Sequence, residues 1–421
     1  MLEVKVSEFS NPQYAMQYNQ VVVPTFSWEG DHYYFLYNFQ TGLLKTYKVS
    51  LLSKNNDFFD YINKRFNIII KANSAIDIMP HTCIIHKDKI YVFMINMPYF
   101  LIIDTKTDQL QIVEDPDKKL ISSTNIIRND HLYYARYSID DRIYNLKDGR
   151  FLDTQIVKMN INSLDVKVIS DFKSSDICHS VSVSPDEKYI IAIVANSDPV
   201  MKFRGSEIER SRDELKELGD KGVCESQIHI FLSSDKKHKK IPRYDTLGHI
   251  EFGYKDSDVC YISAHNLTTN QNNNFTYCMG SASILKLKLS DDSEIIDIYT
   301  SDDFFRMPCH KLYRKNSTDY IIANSYPRQV HLINADTMKG EQKIYFSKDQ
   351  KQVTMKNGAF RLPRVDPTPF SVAAYDNSDY IYTVDQKYIS LFDTSKHEVL
   401  YQIPYNVENK PISIRGHSCF A

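Results

Sequence analysis

Residues 176–196 read DICHSVSVSPDEKYIIAIVAN. Alternating residues lead into a Ser-Pro-Asp-Glu turn, and an apolar run follows it. That pattern is a hairpin whose second strand is buried on both faces. One residue is out of place: His179 opens the first strand, where Val or Ser would serve for packing alone.

The same unit recurs along the chain: a strand, a polar turn, an apolar strand, a loop, and a strand ending in Asp-Thr or a similar turn. HTCIIHKDKIYVFMINMPYFLIIDTKTD starts at His81 and SSTNIIRNDHLYYARY at Ser122. HSVSVSPDEKYIIAIVAN starts at His179, and HIEFGYKDSDVCYISAHN at His249. HKLYRKNSTDYIIANSYPRQVHLINADT starts at His310, and PFSVAAYDNSDYIYTVDQKYISLFDTSKH at Pro369. Their spacing is that of a β-propeller blade plus insertions, and none carries a Trp-Asp signature.

A seventh unit reads as split. PISIRGHSCFA, at the C-terminal end, is an inner strand with nothing after it. VVVPTFSWEGDHYYFLYNFQTGLLKTYKV, near the N-terminus, has three strands and no clean inner one. The sequence therefore predicts an all-β, seven-bladed β-propeller, closed by pairing the C-terminal strand with N-terminal strands, which hides the open edges. An eight-unit ring with VVVPTFSW as an inner strand is the alternative. Residues 1–421 are read as a single β-propeller domain. Residues 197–227 are an inserted helical loop, with GSEIERSRDELKELGDKG (205–222) as a short charged helix. It falls between the second and third strands of its blade, on the face where inner strands begin, and is a candidate lid. A solvated surface helix is its plainer reading.

Composition narrows the function. A net charge of -2 argues against bulk nucleic-acid binding, which needs a basic surface. No apolar run is long enough for a membrane span. The first residues lack a basic segment followed by an apolar core, so no leader is expected. Seven cysteines at irregular spacing fit a reduced, cytoplasmic protein rather than a disulfide scaffold.

The histidines are in register. His81, His179 and His249 each stand seven residues before the turn aspartates Asp88, Asp186 and Asp256. His310 stands seven before Ser317, while the same offset gives Pro369 and Ser122 in the other two units. His417, in RGHSCFA, takes that place in the split blade by context. Inner strands surround the axis of a propeller, so equal register brings these five side chains toward one mouth. Neutral imidazoles in such a ring suit a divalent metal: iron, manganese, copper, nickel or zinc. A lone histidine at a strand start is more often a satisfied structural residue; the shared register is what favours a metal. Alternation points Cys178 and Cys309 away from their neighbouring histidines, into the core.

Segments leading to the same mouth are rich in arginine: Arg243, Arg306, Arg361, Arg364 and Arg415, with Arg328 after a second strand. Each alone is best read as a loop ion pair. Together they suggest a carboxylate or phosphate ligand, which arginine grips with two parallel hydrogen bonds. Tyr326, Tyr99 and Tyr137 sit in comparable loops and either wall the site or pack. His265, at the end of a second strand, is the candidate general base. No phosphate loop, serine-nucleophile elbow or zinc-protease helix motif is present.

The order His179, His249, His310, then His417 in RGHSCFA, preceded by LFDTSKHEVLYQIPY, resembles carotenoid cleavage oxygenases. That resemblance implies a seven-bladed propeller with iron(II) held by four inner-strand histidines. The layout is also similar to oligogalacturonate lyases, propellers whose histidine-rich site holds manganese and whose acidic sugar substrate suits the arginines. Under either resemblance, His81 is a fifth ligand or a neighbour of the ligands. The expectation is a metal-dependent enzyme acting on a small anionic organic substrate. A non-haem iron oxygenase is favoured over a manganese-dependent lyase, and no obligate protein partner is expected. A non-enzymatic interaction propeller is the competing reading.

Overall fold

The structure, a computed structural model, describes residues 4–10, 20–27, 31–50, 69–70, 80–94, 97–122, 124–139, 143–144, 151–172, 177–195, 226–233, 238–243, 246–253, 256–265, 268–269, 275–276, 281–290, 292–305, 309–325, 329–345, 354–356, 359–361, 371–374, 376–385, 387–396, 398–406, 412–413 and 417–420. Seven antiparallel sheets form a ring, a seven-bladed β-propeller, with no helix among the described residues.

Blade 1 runs Pro80–His86, Lys89–Met94, Tyr99–Asp104, Leu110–Glu114 from inner to outer strand. Blade 2 has a broken inner strand, Leu120–Ile121 and Ile126–Arg128, paired with His131–Ile139 and followed by Phe151–Asn160 and Val166–Phe172. Blade 3 is Ile177–Val183, Tyr189–Ala195, Ser226–Leu232, His238–Arg243. Blade 4 is Thr246–Phe252, Val259–His265, Ser281–Lys288, Glu294–Phe305. Blade 5 is His310–Lys315, Thr318–Ser325, Gln329–Asn334, Lys339–Tyr345. Blade 6 is Ser371–Ala374, Tyr380–Val384, Tyr388–Asp393, Glu398–Pro404.

Blade 7 is built from both ends of the chain. Ile412–Ser413 and Cys419–Phe420 pair with Gln20–Ser27, which continues to Asp31–Asn38 and Leu43–Ser50. The split seventh unit is thus present, and VVVPTFSW lies second from the axis, which gives seven blades rather than eight. Four N-terminal strands take part rather than three, because Val4–Ser10 adds outside Leu43–Ser50.

The apolar second strands have a clear cause. Successive side chains of a strand point to opposite faces, and both faces are covered by neighbouring blades. Ile190, Ala192 and Val194 pack on Tyr133 and Ile156 of blade 2. Ile191 and Ile193 pack on Ile262 and Leu285 of blade 4. Corresponding clusters join blades 1 and 2, 4 and 5, 5 and 6, 6 and 7, and 7 and 1, so the circle of cores is complete. Outer strands have one neighbour fewer and show it: Lys339–Tyr345 is exposed at most positions.

The recurrent Asp-Thr ending is a hydrogen-bonding device. Asp104 Oδ1 accepts from the N–H groups of Lys106 and Thr107 at 3.0 and 2.9 Å. Asn38, Asn160, Asn334 and Asp393 do the same in their blades. The carboxylate or amide thereby forms the turn that reverses the third strand. One residue on, Thr105 donates its N–H to Asp88 at 2.8 Å, tying the third strand to the first hairpin. The same tie recurs at Ile161, Ser233, Leu289, Ala335 and Thr394.

The segment before Ser226 lies outside the described residues, and with it the predicted helix of 205–222. The described strands on either side of it are Tyr189–Ala195 and Ser226–Leu232, the second and third of blade 3. Ser226 and Gln227 already belong to the third strand.

One buried ion pair staples blade 1 to blade 2. Arg136, 3 % exposed, places Nη1 3.0 Å from Oδ2 of Asp115, itself 1 % exposed, and Nη2 2.6 Å from Asp117. The Tyr134 hydroxyl donates to Asp115 at 3.1 Å. Truncating the cation leaves Asp115 buried with its charge uncompensated. Arg136→Ala is therefore expected to cost about 3–5 kcal/mol in urea denaturation, against less than about 0.5 kcal/mol for the exposed Lys167→Ala. Equal midpoints for the two variants would refute this role.

Candidate functional site

Four imidazoles meet at one end of the axis. His81 lies 5.0 Å from His417 and 6.1 Å from His179, ring centre to ring centre. His249 lies 4.2 Å from His417 and 6.1 Å from His179. The contacts form a closed circuit of rings from blades 1, 3, 4 and 7. Most of the rings stand edge to face, at 76–83°.

Backbone irregularity places three of these side chains. In blade 1, Pro80 pairs with Met94 and Thr82 with Phe93, so His81 is an extra, bulged residue. In blade 3, Cys178 pairs with Val194 and Ser180 with Ile193, and His179 is the bulge. In blade 4 the extra residue falls between Leu247 and Ile250, and the His249 N–H is taken up by Ser263 Oγ at 2.8 Å. A bulge turns a side chain out of strict alternation and re-aims it. His417 is placed differently: its N–H donates to the His81 carbonyl at 2.6 Å, beside a one-residue parallel bridge to Thr82.

His310 sits in a regular ladder opposite Ala323. It is 1 % exposed, with Nε2 3.2 Å from the Tyr261 carbonyl. It stands close enough to His249 to act on its charge, yet its ring is turned toward blade 4. In blade 2 the equivalent position carries a polar clasp instead: Ser122 Oγ donates to Asn125 Oδ1 at 2.6 Å, and Asn125 Nδ2 returns a bond to the Ser122 carbonyl. Pro369 lies outside the described residues.

Inside the ring, the inner strands of all seven blades line a cavity of about 620 Å³. His249, His310 and His417 reach its wall. So do Glu251 and Lys311, whose side chains form an ion pair across blades 4 and 5. Sequence reading missed this pair. Its members follow His249 and His310 by two and one residues, but nothing in either strand marks them as partners.

Other predicted residues fall as follows. Cys178 is buried in the core between blades 2 and 3, whereas Cys309, also buried, lines the axial cavity instead of entering the core. Tyr99 and Tyr137 pack in the core rather than walling a site. Arg243 ends the outer strand of blade 3, paired with Ser226. Three strand spacings of about 4.8 Å separate it from the inner strand, so it lies at the rim of the mouth. His265 ends the second strand of blade 4, opposite Thr246. Arg361 ends a small hairpin strand, Ala359–Arg361. Arg306, Arg328, Arg364, Arg415 and Tyr326 lie outside the described residues.

Burial, and then repulsion from His179, His310, His81 and Lys311, holds His249 well below the ordinary histidine value. It is therefore neutral near pH 7. Among the described residues, no group of three or more His, Cys, Asp or Glu side chains is arranged with donor atoms converged as for a metal ion. The rings are gathered; their nitrogens are not aimed at one point. Rotation about the terminal side-chain torsion redirects a ring nitrogen, and that torsion is soft in histidine.

No protein-family model matches the chain, and no curated protein matches it. Among solved structures it is similar to a chain in the crystal structure of the mitotic checkpoint complex, at 9 % identity and a TM-score of 0.40. The likeness covers 67 % of this chain and 63 % of that one. The propeller assignment rests on the seven sheets themselves.

The buried histidines set an acid dependence. A histidine whose folded pKa is below its unfolded value of about 6.5 stabilises the fold fully above that pH and loses this contribution as the pH falls. His331 is lowered to about 4 by burial, so its share is lost between about pH 6.5 and 4. For metal-free protein, unfolding free energy is expected to fall from about pH 7 to about pH 5, and His249→Asn to remove up to about one proton from that slope. Denaturant melts across this range check it; an unchanged slope in the variant would refute the assignment.

Proposed function

We propose that His81, His179, His249 and His417 hold a divalent metal ion at the propeller axis, and that the protein is a metal-dependent enzyme acting on a small anionic organic molecule. The observation that carries this reading is the closed circuit of four imidazoles from four blades. Imidazoles bound through nitrogens at ~2.1 Å around one ion have ring centres roughly 4.5–6.5 Å apart, depending on the bond angle. Three of the observed spacings, 5.0, 6.1 and 6.1 Å, fall in that range, and the fourth, 4.2 Å between His249 and His417, lies just below it. Keeping His249 neutral suits coordination, since a protonated imidazole cannot be a ligand.

Four neutral ligands leave the full charge of the ion at the site and open positions for substrate. When bound, iron supplies dioxygen activation and manganese supplies Lewis acidity. Imidazole ligands accommodate iron(II), the metal of the oxygenase reading, and the resemblance to carotenoid cleavage oxygenases is what favours it. The cavity next to the ring gives the substrate a place lined by the inner strands. His310, held on the Tyr261 carbonyl, stands beside the circuit rather than in it.

The test is elemental mass spectrometry on protein purified without a histidine tag. Near-stoichiometric divalent metal is expected, falling by at least about tenfold in the His249→Ala/His417→Ala variant while the circular dichroism of the β-fold persists. Iron supports the oxygenase reading and manganese the lyase. A metal-free protein that does not reload, or a double variant that keeps its metal, would leave the ring as structural packing and overturn the proposal.

A further inference from the structure

The wall of the axial cavity carries charged side chains. Lys311 and Arg128 line it as cations and Glu251 as a carboxylate. Glu251 is engaged by Lys311, which leaves Arg128 as a second cation of the wall facing no carboxylate among the lining residues. Burial alone would lower the pKa of Lys311; the charge and hydrogen bond of Glu251 outweigh it, and the ammonium is held above the ordinary lysine value. The Lys311 side chain is nonetheless 49 % exposed, toward the channel.

Three further donors belong to residues of the same wall. Arg128 Nε, Thr124 Oγ1 and Ser418 Oγ are buried without a hydrogen-bond partner among the described residues. Buried polar atoms in native proteins are nearly always satisfied, and each exception calls for a partner. These three atoms can all donate, and they come from blades 2 and 7. The remainder of the wall is largely neutral, with Ile250, Leu312 and Val372 among its apolar members. A volume of about 620 Å³ falls in the range of small-molecule sites.

We propose that this cavity is a binding site for a small organic carboxylate, with Lys311 and Arg128 as its cationic anchors and Glu251 as the group that holds Lys311 until the ligand arrives. The donors then meet acceptor oxygens, and the apolar wall meets the hydrocarbon part. That this carboxylate is the substrate rests on the metal-enzyme reading above; the binding site does not.

The test is fluorine NMR titration of the full chain with para-trifluoromethylbenzoate and its neutral amide. The acid is expected to bind at least about tenfold tighter than the amide, the scale of a charge-assisted hydrogen bond. Lys311→Met and Arg128→Met should each lose about tenfold in affinity for the acid, Lys311→Arg should recover most of it, and the surface variant Lys240→Met should bind like wild type. Thermal melts of each variant show that the fold is retained. Equal binding of acid and amide, no binding of either, or full affinity in both methionine variants would overturn the site. Displacement of the acid by inorganic phosphate at equal concentration would overturn its assignment to organic carboxylates. Benzoate binding that survives in the metal-stripped His249→Ala/His417→Ala protein supports the site independently of the metal. Metal binding without carboxylate discrimination sinks this inference and leaves the metal reading standing.

Discussion

A sheet that is apolar on both faces has to be covered twice. That constraint determines most of this molecule. Each blade buries alternate residues of its middle strands against the blade before and the blade after. Such packing has no natural end, so a row of these sheets is satisfied only when the last meets the first. The chain achieves this by giving blade 7 an inner edge from residues 412–420 and its outer strands from residues 4–50. The cluster that joins blade 7 to blade 1 contains Val22, Tyr34, Val92 and Leu101, residues that sequence distance alone would not associate. Closure of the ring is therefore a packing event, and the axial cavity follows from it.

What was legible in the sequence is what depends on neighbours along the chain. The turn chemistry of Asp104, Asn334 and Asp393 is local, so the blade repeat shows in residues that must form it. The seven-residue offset of His81, His179 and His249 is local too, because it runs along one strand into the turn that follows it. The split blade was readable because an inner strand without successors and outer strands without a predecessor are each incomplete. The fifth strand of blade 7 was not, since Val4–Ser10 has no partner until Leu43–Ser50 is in place.

The site was legible in part, and the limits have the same cause. Histidines at one register were expected to be equivalent, but the bulges divide them. His81, His179 and His249 are displaced from their ladders, whereas His310 keeps a regular one and turns to the Tyr261 carbonyl. A bulge belongs to two strands at once and is invisible in either. The Lys311–Glu251 pair joins residues of different blades, and neither strand announces it. Arg243 illustrates the opposite case: the segment reads as mouth-facing, yet three strand spacings separate it from the inner strand. Radial position in a propeller is a matter of strand order, which charge patterns do not encode.

The hydrogen bond from the His417 N–H to the His81 carbonyl links the imidazole circuit to the order in which the chain is made. His81 leaves the ribosome long before His417, and domains assemble as the chain emerges. Until the final strand docks, the circuit has three members from separate blades and lacks the one that touches both His81 and His249. Joining chain segments about 400 residues apart costs roughly 5 kcal/mol in loop-closure entropy, offset by the packing of blade 7 on both neighbours. A nascent or truncated chain consequently has no four-membered ring to present. The complete constellation exists only where residues 412–420 have docked on Gln20–Ser27, so it reports closure of the ring as directly as any stability measurement.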